Sequence, residues 1–113
     1  MEKISEEKRN RIKEKIKQFL IELGIKPHIK GFRYWTTAIL YAVEQELEGK
    51  ELGKFMELYR YVGKKHKSTI SKVEKNMRYI FEGKDYQKEL NVSYPINNSA
   101  FLFIAREIIL RRI

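Results

Sequence analysis

The 113-residue sequence contains no cysteine, two prolines and six glycines. The lack of cysteine excludes disulfides, thiolate metal ligands and thiol catalysis. No apolar run approaches the roughly 20 residues that a membrane-spanning helix needs, and the first residues lack the apolar stretch of a secretory signal. We therefore expect a cytoplasmic protein with one hydrophobic core, because a chain of this length can form one such core but not two.

Acidic residues are also few, since 15 Asp and Glu stand against 24 Lys and Arg, which leaves a net charge of +9. A surplus of this size on a small domain favours a polyanionic partner, either nucleic acid or an acidic membrane surface. The alternative is a solvated basic surface with no specific partner. The position of the charge along the chain bears on this choice.

Apolar residues recur at helical spacing through most of the chain, and strand patterns are nearly absent. Ser5 is placed to cap the first helix and Gly24 to end it. The first 17 residues form a charged helical extension that we expect to project or fray. The pattern predicts an all-α fold with helices at 5–23, 32–48, 54–66, 70–82, within 84–92, and from 98 or 99 to 112.

Residues 54–82 have the layout of a helix-turn-helix, because two helices are joined by only three residues. Gly63 is a small residue on the first helix of the pair, where the second helix would cross closely. Lys67 stands where such a turn often has Gly or Asn in a left-handed conformation. The alternative interpretation is an ordinary helical hairpin with a solvated basic face.

The second helix of the pair has one apolar side, and its other side carries polar residues suited to the major groove. Lys and Arg donate to guanine O6 and N7, Asn can bond adenine through two hydrogen bonds, and Tyr can reach a phosphate or a thymine methyl. The predicted base-reading residues are Lys72, Lys75, Asn76, Arg78 and Tyr79.

Positive charge is concentrated around the same turn. From Arg60 to Arg78, seven Lys or Arg residues stand against one acid, Glu74. Basic and hydroxyl side chains beside a recognition helix commonly hold DNA phosphates and orient that helix. The predicted phosphate-binding residues are Lys64, Lys65, Lys67, Ser68, Thr69 and Ser71.

Several of these segments together resemble one known family, the C-terminal DNA-binding domain of the master sporulation response regulator of endospore-forming bacteria. The resemblance extends over roughly residues 18–112. It is carried by His28–Phe32 (HIKGF), Val62–His66 (VGKKH), Ser68–Lys75 (STISKVEK), and Asn98 and Ser99 before Phe101.

The resemblance implies about six helices around a helix-turn-helix. It also implies sequence-specific binding to short promoter boxes, often by two domains in tandem, and thus a nucleoid-associated protein. The family has arginines at the positions of Lys72 and Lys75, and lysine lacks the two-pronged guanidinium. It has an apolar aromatic residue at the position of His66.

The full-length regulators of that family also carry an N-terminal phosphoacceptor receiver domain. A sequence of 113 residues has no room for one. We therefore expect either an excised effector domain or a stand-alone relative without phosphorylation control.

The last helix carries apolar residues nearly all the way round its axis. Phe101, Ile104 and Ile108 lie on one side, which we expect to face the core. Phe103 and Leu110 lie on the opposite side, where a small domain has few neighbours to cover them. These two residues are the predicted contact in a homodimer on tandem sites.

No pattern predicts catalysis, a metal, a cofactor or a small-molecule substrate. His28 and His66 lack the spacing of metal ligands, and the glycines lack the spacing of phosphate-binding loops. The alternative function is a basic interaction module, whose first helix would bind a protein partner or an anionic membrane surface. Acidic residues nearly cancel the positive charge of that helix, which disfavours the membrane.

Overall fold

A computed structural model of the chain describes residues 4–113. Within these residues it is all-helical, as the sequence predicted. The helices are α1 (Glu6–Glu22), α2 (Lys30–Leu47), α3 (Phe55–His66), α4 (Ile70–Tyr79), α5 (Gln87–Leu90) and α6 (Asn98–Arg112).

The predicted ends of α1 are confirmed within one residue. The hydroxyl oxygen of Ser5 accepts the backbone N–H of Lys8 at 3.2 Å. Gly24 adopts a left-handed conformation with φ of +86°, and the N–H of Ile25 donates to the carbonyl of Leu20 at 3.1 Å. These bonds satisfy backbone groups that a helix leaves free at its ends.

Helix α2 is the centre of the fold, since it packs against α1, α3, α4 and α6. Its side chains are buried on most sides, and Trp35 is fully buried. The indole of Trp35 meets the ring of Phe101 from α6 edge-on, with centroids 4.7 Å apart. This contact joins the last helix to the middle of the core.

The prediction that residues 1–17 form a projecting extension was wrong for the part that the structure describes; residues 1–3 lie outside it. Ile12 and Ile16 are almost completely buried. Arg9, near the start of α1, forms an ion pair with Glu44 of α2 at 3.0 Å between Nε and Oε1. Helix α1 therefore packs along α2 from its second turn onward, because its apolar stripe begins at Ile12.

The predicted core face of α6 was partly wrong. Phe101 is fully buried as expected, but Ile104 and Ile108 are only half-buried. The buried face is instead completed by Leu102, Ala105 and Ile109, because α6 lies between α1 and α2 and is turned toward both.

Several helix boundaries also differ from the predicted ones. α2 begins at Lys30 rather than Phe32, and α5 covers only four residues of the 84–92 stretch. α4 ends at Tyr79, three residues before the predicted end at 82. Its last turn tightens, since the N–H of Phe81 donates to the carbonyl of Arg78 at 3.1 Å, three residues back.

Candidate nucleic-acid interface

Helices α3 and α4 are joined by the three residues 67–69, in a geometry consistent with a helix-turn-helix. Lys67 has φ of 54° and ψ of 48°, the left-handed conformation that the turn requires. The N–H of Ser68 donates to the carbonyl of Gly63 at 2.8 Å. Thr69 caps α4, since its hydroxyl oxygen accepts the N–H of Lys72 at 3.2 Å. The hydroxyl proton of Thr69 therefore remains available to an acceptor outside the protein.

Gly63 permits this tight turn because it has no side chain. A Cβ atom at this position would lie 2.7 Å from the carbonyl oxygen of Ser68 and 3.7 Å from a methyl of Val73. The first distance is far inside van der Waals contact and involves backbone, which cannot move away cheaply. A larger residue at position 63 would therefore displace the turn and the start of α4.

Helix α4 is also held from behind by α2. A Cβ atom on Gly31 would lie 2.8 Å from the carbonyl oxygen of Asn76. One turn further along α2, the indole N–H of Trp35 donates to the carbonyl of Met77 at 2.8 Å. The inner side chains of α4, Val73 and Met77, are fully buried. The outer side of α4 is thereby presented to solvent in a fixed orientation.

Four of the five predicted base-reading residues are exposed on α4, and three of these four bond no other residue of the range 4–113 through their side chains. Lys72 and Lys75 project from the first and second turns of α4. Tyr79, the last residue of the helix, has 60% of its surface exposed. These side chains are free to contact a ligand laid along α4.

The other two predicted base-reading residues already have partners within α4. The Asn76 amide nitrogen donates to the carbonyl of Lys72 at 2.8 Å. The Arg78 Nε donates to Oε2 of Glu74 at 2.9 Å, and this hydrogen bond raises the pKa of Arg78. Both side chains must exchange or extend these contacts to reach a base edge.

A cleft of about 900 Å³ opens beside the start of α4. Helix α2 forms one wall of this basic cleft, and α3, the turn and α4 form the rest. Among residues 4–113, none of those that line it is acidic. Its cationic lining residues are Lys30, Arg33, Arg60, Lys64, Lys67 and Lys72.

None of these six cations forms an ion pair with any carboxylate in the range 4–113. Other arginines of the protein do: Arg9 pairs with Glu44, and Arg112 pairs with Glu22 at 3.0 Å. Like charges gathered without counterions repel each other, and a bound anion relieves that repulsion. The electrostatics of the basic cleft therefore favour an anionic ligand.

The predicted phosphate-binding residues divide between the basic cleft and its surroundings. Lys64, Lys67, Ser68 and Thr69 line it. Ser71 is exposed on α4 outside the lining. Lys65 points elsewhere, since its ammonium group lies over the ring of Tyr61, 5.6 Å from the centroid.

The sequence pattern did not place Lys30 and Arg33 in this cleft, and Arg60 was identified only as part of the charge cluster around the turn. Lys30 and Arg33 precede the turn by more than 30 residues, so helical periodicity cannot bring them to it. Gly31 lies between them, but the sequence pattern placed it in the connector before a helix at 32–48, so its close contact with α4 was not indicated.

His66 closes α3 beneath the basic cleft. Its Nε2 lies 2.7 Å from the hydroxyl oxygen of Thr37, and its ring packs on Tyr34 with centroids 5.0 Å apart. Burial lowers the pKa of His66 below its ordinary 6.5, and the positive charges of Arg33 and Lys13 lower it further. The hydrogen bond to Thr37 gives this polar ring a partner in its half-buried position.

A model of the family described as "Sporulation initiation factor Spo0A C terminal" matches residues 16–105. The chain belongs to this family. The Spo0A C-terminal family consists of DNA-binding domains that regulate transcription in sporulation, and it is not a family of enzymes. The match begins in α1 and ends in α6, so it includes every residue of the basic cleft.

Comparisons with curated proteins and with solved structures give no match. Over the range 4–113, no helix is both long enough and apolar enough to cross a bilayer.

Proposed function

We propose that this protein binds specific sites in promoter DNA and regulates transcription, with α4 lying in the major groove. The observation that carries the proposal is the position of α4: its inner side is held by α2, its outer side is polar and exposed, and the basic cleft adjoins its first turn. A recognition helix needs a fixed position in the fold, unpaired side chains that face the bases, and cations near the DNA phosphates.

Lys72, Lys75 and Tyr79 are the proposed first contacts with base edges, because they are exposed and, unlike Arg78, have no side-chain partner in the range 4–113. Each lysine offers donors to guanine O6 or N7 as a single point of charge, without the paired geometry of an arginine. Asn76 joins them by exchanging its bond to the Lys72 carbonyl for an adenine. Arg78 extends its free N–H groups toward a base or phosphate while Nε stays on Glu74.

The proposed backbone contacts are Lys64, Lys67, Ser68 and Thr69, which lie together in the basic cleft. Ser71 adds a hydroxyl from the exposed side of α4. The contribution of Lys65 is expected to be the smallest of the set, because its ammonium group lies over Tyr61. Such contacts set the affinity and its salt dependence rather than the sequence preference.

The described residues are proposed to act as one DNA-binding domain located on the nucleoid of the cytoplasm. Two copies are proposed to associate on tandem boxes through the exposed part of α6. Phe103 has 42% of its surface exposed, whereas Leu110 is half-buried against the core. Phe103 is therefore the main proposed contact, and Leu110 a contact at its edge.

A selection of duplexes from a randomised pool tests this function. The protein should enrich one short box, and its affinity for that box should exceed its affinity for unrelated duplex at equal salt. Vesicles of anionic lipid, offered at the same salt, test the alternative of a membrane-binding module. Recovery of no preferred sequence, or tighter binding to vesicles than to the enriched box, would contradict the proposal.

A further inference from the structure

One wall of the basic cleft lies outside the helix-turn-helix. Lys30 and Arg33 project from the first turn of α2 and face Arg60, Lys64 and Lys67, which belong to α3 and the turn. Two walls that are far apart in the sequence thus present cations to the same space.

The α2 wall is fixed relative to α4. Gly31 lies between the two cations in sequence, and its Cα approaches the Asn76 carbonyl so closely that no side chain fits. The hydrogen bond from Trp35 to the Met77 carbonyl holds the next turn. Lys30 and Arg33 therefore keep their position beside α4 without any rearrangement on binding.

The chemistry of the basic cleft selects a chain of phosphates over a single small anion. Its cations are spread over four parts of the fold, and its opening is wide, so no side chain encloses one point. The edges of a major groove are the two phosphodiester backbones. A duplex with its groove on α4 must therefore place one backbone beside the first turn of α4, where the basic cleft lies.

We propose that Lys30 and Arg33 bind the phosphodiester backbone of DNA, so that one strand runs between α2 and the helix-turn-helix. This inference rests on the proposed function. It makes α2 a second DNA-binding element, which raises affinity for every sequence alike and restricts the angle at which α4 enters the groove.

The test compares two double variants of equal charge. Lys30→Ala with Arg33→Ala removes the α2 wall, and Lys15→Ala with Arg11→Ala removes a lysine and an arginine from the exposed side of α1. Dissociation constants are measured over a range of salt on the selected box and on random duplex. We expect the α2 variant to reduce the steepness of log K against log salt by about 1.8, which corresponds to the loss of two phosphate contacts. Its affinity for the selected box and for random duplex should fall by the same factor. The α1 variant should keep the wild-type slope.

A charge-conserving variant separates charge from fold. Lys30→Arg with Arg33→Lys should keep the wild-type slope, and thermal unfolding of all three variants should show that each is folded. The inference would be overturned if the α2 and α1 variants had the same slope of log K against log salt. It would also be overturned if the α2 variant lost affinity only for the selected box. Failure of the wild-type protein to bind duplex would instead overturn the proposed function.

Discussion

The indole N–H of Trp35 donates to the backbone carbonyl of Met77 at 2.8 Å. In a continuing helix that carbonyl would accept the N–H of Phe81, which instead donates to Arg78. Trp35 therefore supplies the partner that the helix itself no longer provides. This bond satisfies a carbonyl left free at the end of α4, and it joins the proposed recognition helix to the central helix of the fold.

Replacing Trp35→Phe should destabilise the protein and weaken DNA binding together. Phenylalanine keeps an aromatic ring in the core but leaves the Met77 carbonyl buried without a donor, which costs about 1–3 kcal/mol in addition to lost packing. Urea unfolding and binding to the selected box measure the two effects. Tyr41→Phe is the control, because the Tyr41 hydroxyl accepts only from Gln45 in a half-buried position. Equal destabilisation by Trp35→Phe and Tyr41→Phe would show that the hydrogen bond from Trp35 to the Met77 carbonyl has no special importance for stability.

Replacing Lys75→Ala should reduce both affinity and selectivity. If Lys75 donates to a base edge, its loss costs about 1–3 kcal/mol on the selected box and relaxes the preference at one base pair. The measurement is a repeat of the duplex selection together with dissociation constants on selected and random duplexes. Lys15→Ala on the exposed side of α1 is the control. The same loss on both duplexes would assign Lys75 to a phosphate.

The substitution Lys67→Gly should stabilise the fold and weaken DNA binding. The left-handed conformation of Lys67 disfavours any residue with a Cβ, so glycine should raise the free energy of unfolding by up to about 1 kcal/mol. The same change removes one cation of the basic cleft and should lower the salt slope by about 0.9. Asn91→Gly is the matched control, since Asn91 has φ of 56° but lies outside the basic cleft. It should change stability only, and an unchanged salt slope in Lys67→Gly would refute the phosphate contact.

His66 should make the protein less stable in mild acid. Its pKa in the folded protein lies below the ordinary 6.5, so the unfolded chain takes up a proton first as the pH falls. The stabilisation that comes from keeping His66 neutral in the fold is therefore fully present above about pH 7. This part of the unfolding free energy is lost as the pH falls through 6.5 toward the folded pKa. Unfolding free energies measured between pH 7.5 and pH 5 should show this loss.

Two substitutions isolate that effect. His66→Gln keeps a polar group near Thr37 without ionising, and His66→Phe introduces an aromatic ring without a charge. Both should make the unfolding free energy less dependent on pH in this range. A pH dependence identical to that of the wild type in both variants would show that another group titrates.

Replacing Phe103→Asp should abolish cooperative binding to two adjacent boxes while preserving affinity for one box. Phe103 is exposed. Its ring meets Phe55 with centroids 6.3 Å apart, and the Arg106 guanidinium lies over it at 5.2 Å from the centroid. Both contacts are at the surface of the core, so the fold should survive the change. The control is Met56→Asp, because Met56 is also an exposed apolar residue but lies on α3. Cooperativity that persists in Phe103→Asp would remove α6 from the contact. Leu110→Ser is less suitable for this test, because Leu110 packs against the core.

The helical architecture was predictable because α1 to α4 each have an apolar stripe at helical spacing and most helices have local signals at their ends. Ser5, Gly24 and Thr69 act locally, within four residues of the groups that they satisfy. The strained turn at Lys67 was predictable for the same reason, since a three-residue connection between two helices leaves few conformations.

Features that depend on packing between distant segments were not predictable in this way. A helical wheel places Asn76 on the outer face of α4 but does not show that its amide bonds the Lys72 carbonyl. It gives α6 no orientation either, because apolar residues surround that helix and only the positions of α1 and α2 decide which of them are buried. Lys30 and Arg33 reach the basic cleft only through the crossing of α2 and α4 at Gly31.

The neighbours of α4 hold it through its main chain as well as through its buried side chains Val73 and Met77. Gly31 abuts the Asn76 carbonyl, Trp35 binds the Met77 carbonyl, and the Asn98 amide lies 3.4 Å from the Glu74 carbonyl. None of these three contacts depends on which side chain α4 carries at positions 74, 76 or 77. Substitutions among the outward residues of α4 would therefore change the proposed DNA contacts while these three main-chain contacts keep the helix in place.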